Sequence, residues 1–116
     1  MQFLNPEKLV YDYLKGLGYP VMVEIPAKRP QRFVTVELVG GSERNQALDQ
    51  ALLAVQCWAG SRWEASELAR QVDADMRAGR DRIREVCRSE RTGFTHFPDS
   101  SGHERYQMLY TYLITV

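Results

Sequence analysis

The amino-acid sequence predicts an α+β fold, an antiparallel-rich sheet flanked by two helices in the order αβββαββ. Three observations predict it. Two segments carry apolar residues at helical spacing behind clear helix-start signals. Several shorter runs alternate apolar and polar residues with a period of two. The strands come in groups, three and then two, rather than alternating one by one with helices. A length of 116 residues suits one domain spanning 1–116. At 44% hydrophobic and 26% charged residues, the chain can build a core and is not a disordered segment.

The first helix starts at Asn5, a good N-cap, followed by Pro6 at the first helical position and Glu7 in the first turn. Leu4 and Leu9 occupy the positions of a hydrophobic staple. Leu9, Val10, Tyr13, Leu14 and Leu17 form one stripe, ended by Gly16 and Gly18. In the first strand Val21, Val23 and Ile25 alternate with Met22 and Glu24, and Pro26 and Pro30 bracket a turn. The second runs from Arg32 to Val39, with Val34, Val36 and Leu38 opposite Phe33, Thr35, Glu37 and Val39. Gly40-Gly41-Ser42 is expected to break it as a turn. The third strand, Gln50 to Trp58, is apolar on both faces near its middle, the mark of a central strand.

Ser61-Arg62-Trp63-Glu64 is a capping-box sequence that opens the second helix. Its buried stripe is Ala65, Leu68, Ala69, Val72 and Met76, with Gly79 as the expected stop. A fourth strand is expected near Ile83 to Arg88, then a loop from Thr92 to His103 with turn signals at Pro98-Asp99 and Ser101-Gly102. The last strand covers Tyr106 to Val116, with Tyr106, Met108, Tyr110, Tyr112, Ile114 and Val116 on one face.

Charge and motif content argue against most chemistry. Fifteen basic and fifteen acidic residues give a net charge of zero, so the excess cation a phosphate-binding protein needs is missing. Sequence-specific nucleic-acid binding is not expected. No run approaches the length of a membrane span, and no basic stretch followed by an apolar one marks a leader. Cys57 and Cys87 lie outside any CxxC pattern and read as two buried thiols in a reducing compartment.

His96 and His103 read as solvated loop residues, because His96, His103, Asp99 and Glu104 lack metal-ligand spacing. No nucleophile elbow surrounds Ser100 or Ser101, and neither cysteine has a catalytic flank. No catalytic residue, metal or cofactor is therefore expected, and the chain is read as a non-enzyme. The arginine-rich stretch Arg77, Arg80, Arg82, Arg84, Arg88 and Arg91 is either a rim for an acidic partner or an edge whose charges pair with Asp81, Glu85 and Glu90. Local pairing is the simpler reading. Trp58 and Trp63 are suited either to a core or to an interface.

Several pieces of the chain resemble one known family. VEIPAKRPQRFVTVELVGG, then Arg44-Asn45, Asp49, QCWA at the end of the third strand, SRWEASELARQ, and FPDSSGHERYQ leading into YQMLYTYLITV resemble the tail terminator (tail completion) proteins of long-tailed phages. The resemblance covers nearly the whole chain. It implies a structural virion protein of the tail, assembled in the host cytoplasm. Such a subunit forms a sixfold homo-oligomeric ring on the last ring of the tail tube, ends tube polymerisation and presents a joining surface to the head-tail connector. Its partners would be further copies of itself, the tail tube protein and the connector protein. Within that reading Arg29, Arg32 and Arg44 are candidate contacts because of their loop positions, with Trp63, Arg82 and Arg84 as further candidates. Charge reversal at Arg44 is expected to impair ring formation or tail joining and leave folding intact, as binding and thermal melting would report. A head-completion or neck connector subunit, and a small-molecule-binding regulatory α+β domain, are the alternatives.

Overall fold

Asn5 starts the first helix, α1 (Pro6–Gly16), by accepting hydrogen bonds at Oδ1 from the amides of Glu7 and Lys8 at 3.0 and 3.2 Å. Leu4 and Leu9 both pack against the core, as a staple requires. The computed structural model describes residues 4–45 and 47–115. These form one mixed five-stranded sheet and three helices, arranged α+β. The strands are β1 (Val21–Met22), β2 (Phe33–Asn45), β3 (Leu48–Ala59), β4 (Val86–His96) and β5 (Glu104–Thr115), in spatial order β1-β2-β3-β5-β4. β1 runs parallel to β2, while β2 with β3, β3 with β5 and β4 with β5 are antiparallel.

The central position of β3 explains its apolar character on both faces. Leu53, Val55 and Cys57 point to the helices, and Ala54 and Trp58 are buried on the other side. The helical layer is α1 and α2 (Arg62–Arg77). Val10 and Leu14 from α1 and Leu68, Ala69, Val72 and Met76 from α2 meet Val34, Val36, Met108, Tyr110, Tyr112 and Ile114 of the sheet in one core. The expected stripe of α2 is buried at every named position. Ser61 Oγ accepts from the Glu64 amide at 3.2 Å and begins this helix.

The far end of α2 is closed by side chains from three other elements. Tyr13 Oη donates to the Asp75 carbonyl, Tyr112 Oη to that of Met76, and Ser89 Oγ to that of Arg77. These are last-turn carbonyls that have no partner within the helix. Gly79, expected as the stop, instead begins a short third helix, α3 (Gly79–Arg82), which gives the order αβββααββ. It is glycine for space: a Cβ there would lie 2.6 Å from Tyr112 Oη.

Several boundaries differ from expectation. The first strand is only Val21–Met22, and Val23 is 58% exposed. Proline donates nothing to a ladder, so the segment approaching Pro26 and Pro30 leaves the sheet. β2 does not stop at Gly40 but continues to Asn45, taking up the glycines at a bulge between Leu38 and Gly40. A Cβ at Gly41 would lie 2.7 Å from the Gln50 carbonyl oxygen, so glycine is what permits the close approach of the strands. Ile83 lies outside any strand and ends α3, and β4 begins only at Val86. Thr92 to His96, expected as loop, belongs to β4, and the loop shrinks to 97–103. An edge strand with one wet face, and a bulge between Arg91 and Gly93 that shifts its parity, shows no clean alternation. β5 starts earlier than expected, at Glu104, and Val116 lies outside the described residues.

Candidate assembly surface

The helices cover one face of the sheet and leave the other to be organised by side chains and a loop. Three bands cross that outer face. At the end where β3 finishes, Trp58 stacks on Phe33 with ring centroids 5.2 Å apart, and both are fully buried. What buries them is a cationic cap. The guanidinium of Arg105 lies 4.6 Å from the Trp58 ring centroid and that of Arg29 5.3 Å from it. Asp99 ties the cap together, accepting from Arg29 Nη1 at 2.8 Å and lying 4.0 Å from Arg105. The 97–103 loop is held in place by Arg105 Nε donating to the Phe97 carbonyl at 2.8 Å, with Phe97 against the guanidinium.

A polar band comes next. Trp58 Nε1 donates to Thr35 Oγ1, Thr35 Oγ1 to Gln56, and Gln56 Nε2 to Gln107 Oε1 at 2.8 Å. Beyond it the face turns apolar. Leu52 and Leu109 are 39% and 37% exposed and lie beside Gly40 and Gly93 of the two flanking strands. Together they make an exposed apolar strip on a sheet face with no covering layer at that end.

Asp99 carries a pH prediction. The Ser101 hydroxyl, and then the Arg29 guanidinium, hold its carboxyl well below the usual carboxylate range. A depressed folded-state pKa gives stability that is full above about 4, the ordinary carboxylate value, and is lost as pH falls toward the folded value. Wild-type melting temperature should therefore fall as solutions are acidified below about pH 4. Asp99→Asn should be less stable at neutral pH and show a flatter acid limb. Equal acid limbs in the two proteins would remove Asp99 from this role.

A second network lies inside, on α2. Asp73 is buried and accepts from Tyr110 Oη at 2.7 Å and Arg91 Nη1 at 2.8 Å, with Arg77 3.7 Å away. Burial, and then the bond to Asp73, push the Tyr110 hydroxyl far above its ordinary pKa. Asp75 accepts from Tyr19 Oη at 2.5 Å and from Arg82 at 2.7 Å. Much of the arginine-rich stretch is thus paired, but with Asp73 and Asp75 of α2 more than with the acids interleaved in it. Arg80 with Asp81, at 3.6 Å, is the neighbouring pair that does form.

The six candidate contact residues do not form one patch. Arg29 is drawn inward to Asp99 and Trp58, and Arg82 to Asp75. Arg32 is exposed and reaches Gln71 Oε1 of α2 at 3.3 Å. Arg44 is exposed at the far end of β2, and Arg84 is exposed between α3 and β4. Trp63 is 81% exposed, on the first turn of α2. Sequence reading missed its neighbour Arg62, whose Nε lies 3.4 Å from Tyr106 Oη. It also missed Arg105, because nothing in a strand's alternation marks a guanidinium destined for an indole face.

Three readings are corrected. Cys87 is exposed, so only Cys57 is a buried thiol, and burial pushes that thiol far above its ordinary pKa. His96 is a half-buried strand residue, 2.7 Å from Glu104 Oε2 and packed on the Tyr106 ring. His103 is half-buried in the loop, 3.2 Å from Ser101 Oγ. Among the described residues no group of His, Cys, Asp or Glu side chains is placed to hold a metal ion. Nor is any helix among them long and apolar enough to cross a membrane. No protein-family model matches the chain, and no curated protein matches it.

Proposed function

We propose that this chain is a structural subunit that closes a ring on the end of a phage tail tube, stopping tube growth and offering a surface for joining the head. The observation that carries the reading is a convergence. The segments that resemble tail terminators are far apart in sequence, yet they meet at one place in the fold. Arg29 comes from VEIPAKRP, Trp58 from QCWA, and Asp99, Ser101 and Arg105 from the segment FPDSSGHER. These residues build the cationic cap over Trp58. The resembling segments therefore contribute to one structural unit. The exposed Trp63 and the apolar strip at Leu52 and Leu109 add surfaces of the kind subunits use to meet.

On this reading the protein works by shape and by contacts with two partners, the tube and the connector, and carries out no reaction. The test is to add the purified chain to polymerising tail tube protein and examine the products by electron microscopy. Shortened tubes carrying a sixfold cap at one end are the expected result. Tubes of unchanged length and bare ends would overturn the reading. Binding to the connector protein alone would move the chain to the head side of the neck.

A further inference from the structure

The molecule carries a knob at one end and a groove toward the other. The knob is Trp63, the most exposed of the large hydrophobic side chains among the described residues, with Arg62 beside it. It sits where β3 has just finished and α2 begins. The groove, about 460 Å³, lies between the start of α1 and the β2–β3 hairpin. Pro6, Leu38, Val39 and the Gly40-Gly41 backbone form its apolar part, and its charged lining residues are Glu43 and Asp49. Ala51, at the groove, and Ala59, at the knob, are eight residue steps apart along β3, which is roughly 26 Å of strand.

We propose that the Arg62–Trp63 knob of one copy seats in the glycine-floored groove of a second copy, making a head-to-tail contact between subunits. The chemistry of the two surfaces matches. The knob offers an indole and a guanidinium, the combination most enriched at the energetic centres of interfaces. The groove offers aliphatic walls and backbone approachable at Gly40-Gly41, with carboxylates available to the guanidinium. Charge sets each surface against its own kind: the Arg62 guanidinium repels a second one, and Glu43 and Asp49 repel a second acidic groove. Knob and groove lie toward opposite ends of β3, and one-way seating leaves one of each free on every added subunit and continues until a ring closes, whereas reciprocal seating would stop at a dimer and overturn the head-to-tail contact.

The inference rests on the ring reading and deepens it by naming the contact, but the two fail separately. Head-to-tail complexes that ignore tube protein would sink the cap and keep this contact. Capped tubes that still form with Trp63→Ala would do the reverse.

The experiment is analytical ultracentrifugation of the full chain up to millimolar concentration. Wild type should associate beyond a dimer. Trp63→Ala and Glu43→Arg should each weaken association about thirtyfold or more, with circular dichroism and melting unchanged because both positions are exposed. Mixed together, these two variants should give a complex of two chains that grows no further, since one keeps the groove and the other the knob. Arg62→Glu should also weaken association, and Arg62→Glu combined with Glu43→Arg should restore it. A wild type that stays monomeric throughout, single variants that associate like wild type, or a mixture that forms no two-chain complex would each overturn the proposal.

Discussion

Trp58→Ala should destabilise the fold by about 3–5 kcal/mol, the range for removing a fully buried large aromatic. That is a large share of the roughly 5–15 kcal/mol that holds an ordinary domain together. The size follows from what rests on the ring. Trp58 fills the end of the outer face, stacks on Phe33, and offers its face to Arg29 and Arg105. Without the indole, Phe33 becomes exposed and the two guanidiniums lose the surface that makes their partial burial tolerable. The 97–103 loop loses its seat in turn, because Arg105 anchors it through the Phe97 carbonyl. Trp58→Phe keeps a flat ring but not the bond from Nε1 to Thr35 Oγ1, so it should cost about 1 kcal/mol. Urea titration of the two variants measures both values. A loss under about 1 kcal/mol for Trp58→Ala would show that the loop is held in some other way.

The second large effect is expected at Asp73. Asp73→Ala should cost about 3 kcal/mol, because it leaves the buried Tyr110 hydroxyl without an acceptor and takes the partner from Arg91. Asp73→Asn keeps an acceptor for Tyr110 but loses the charge and the second oxygen to which Arg91 donates, so the cost should fall only to about 2 kcal/mol. The combination of Asp73→Ala with Tyr110→Phe should recover part of the loss, since the orphaned hydroxyl is then gone. A double-mutant cycle by thermal unfolding reads this as a coupling between the two sites. Additive losses would mean that Asp73 acts through Arg91 alone.

Much of this fold was legible in the sequence where local chemistry decides local structure. Asn5 and Ser61 start helices by bonding to amides within three residues of themselves. The stripe from Ala65 to Met76 was readable because helical spacing puts those side chains on one face whatever the partner is. The two-faced apolar character of β3 correctly indicated a central strand, but only its helix-facing side is covered along its length, and Leu52 on the other side is exposed.

The candidate surface was only partly legible. Trp63 could be named, but its exposure could not be inferred, since Trp58 five residues earlier is wholly buried. Arg29 and Arg82 could be named as surface cations, yet Arg29 is claimed by Asp99, far away in the chain, and Arg82 by Asp75 of the preceding helix. β4 was misplaced because an edge strand with a bulge is shaped by its neighbour β5 and not by its own pattern.

The sequence by itself determined the helix starts, the apolar faces and the α+β class, because these rest on hydrogen bonds and periodicities a few residues long. Only the tertiary structure decided that β1 lies parallel to β2, that Gly40 and Gly41 continue a strand, and that Gly79 makes room for Tyr112. It also decided which arginines turn inward and which residues form the knob and the groove. Those outcomes depend on which distant group arrives beside a residue, and burial and pairing with such groups outweigh any preference the residue has alone.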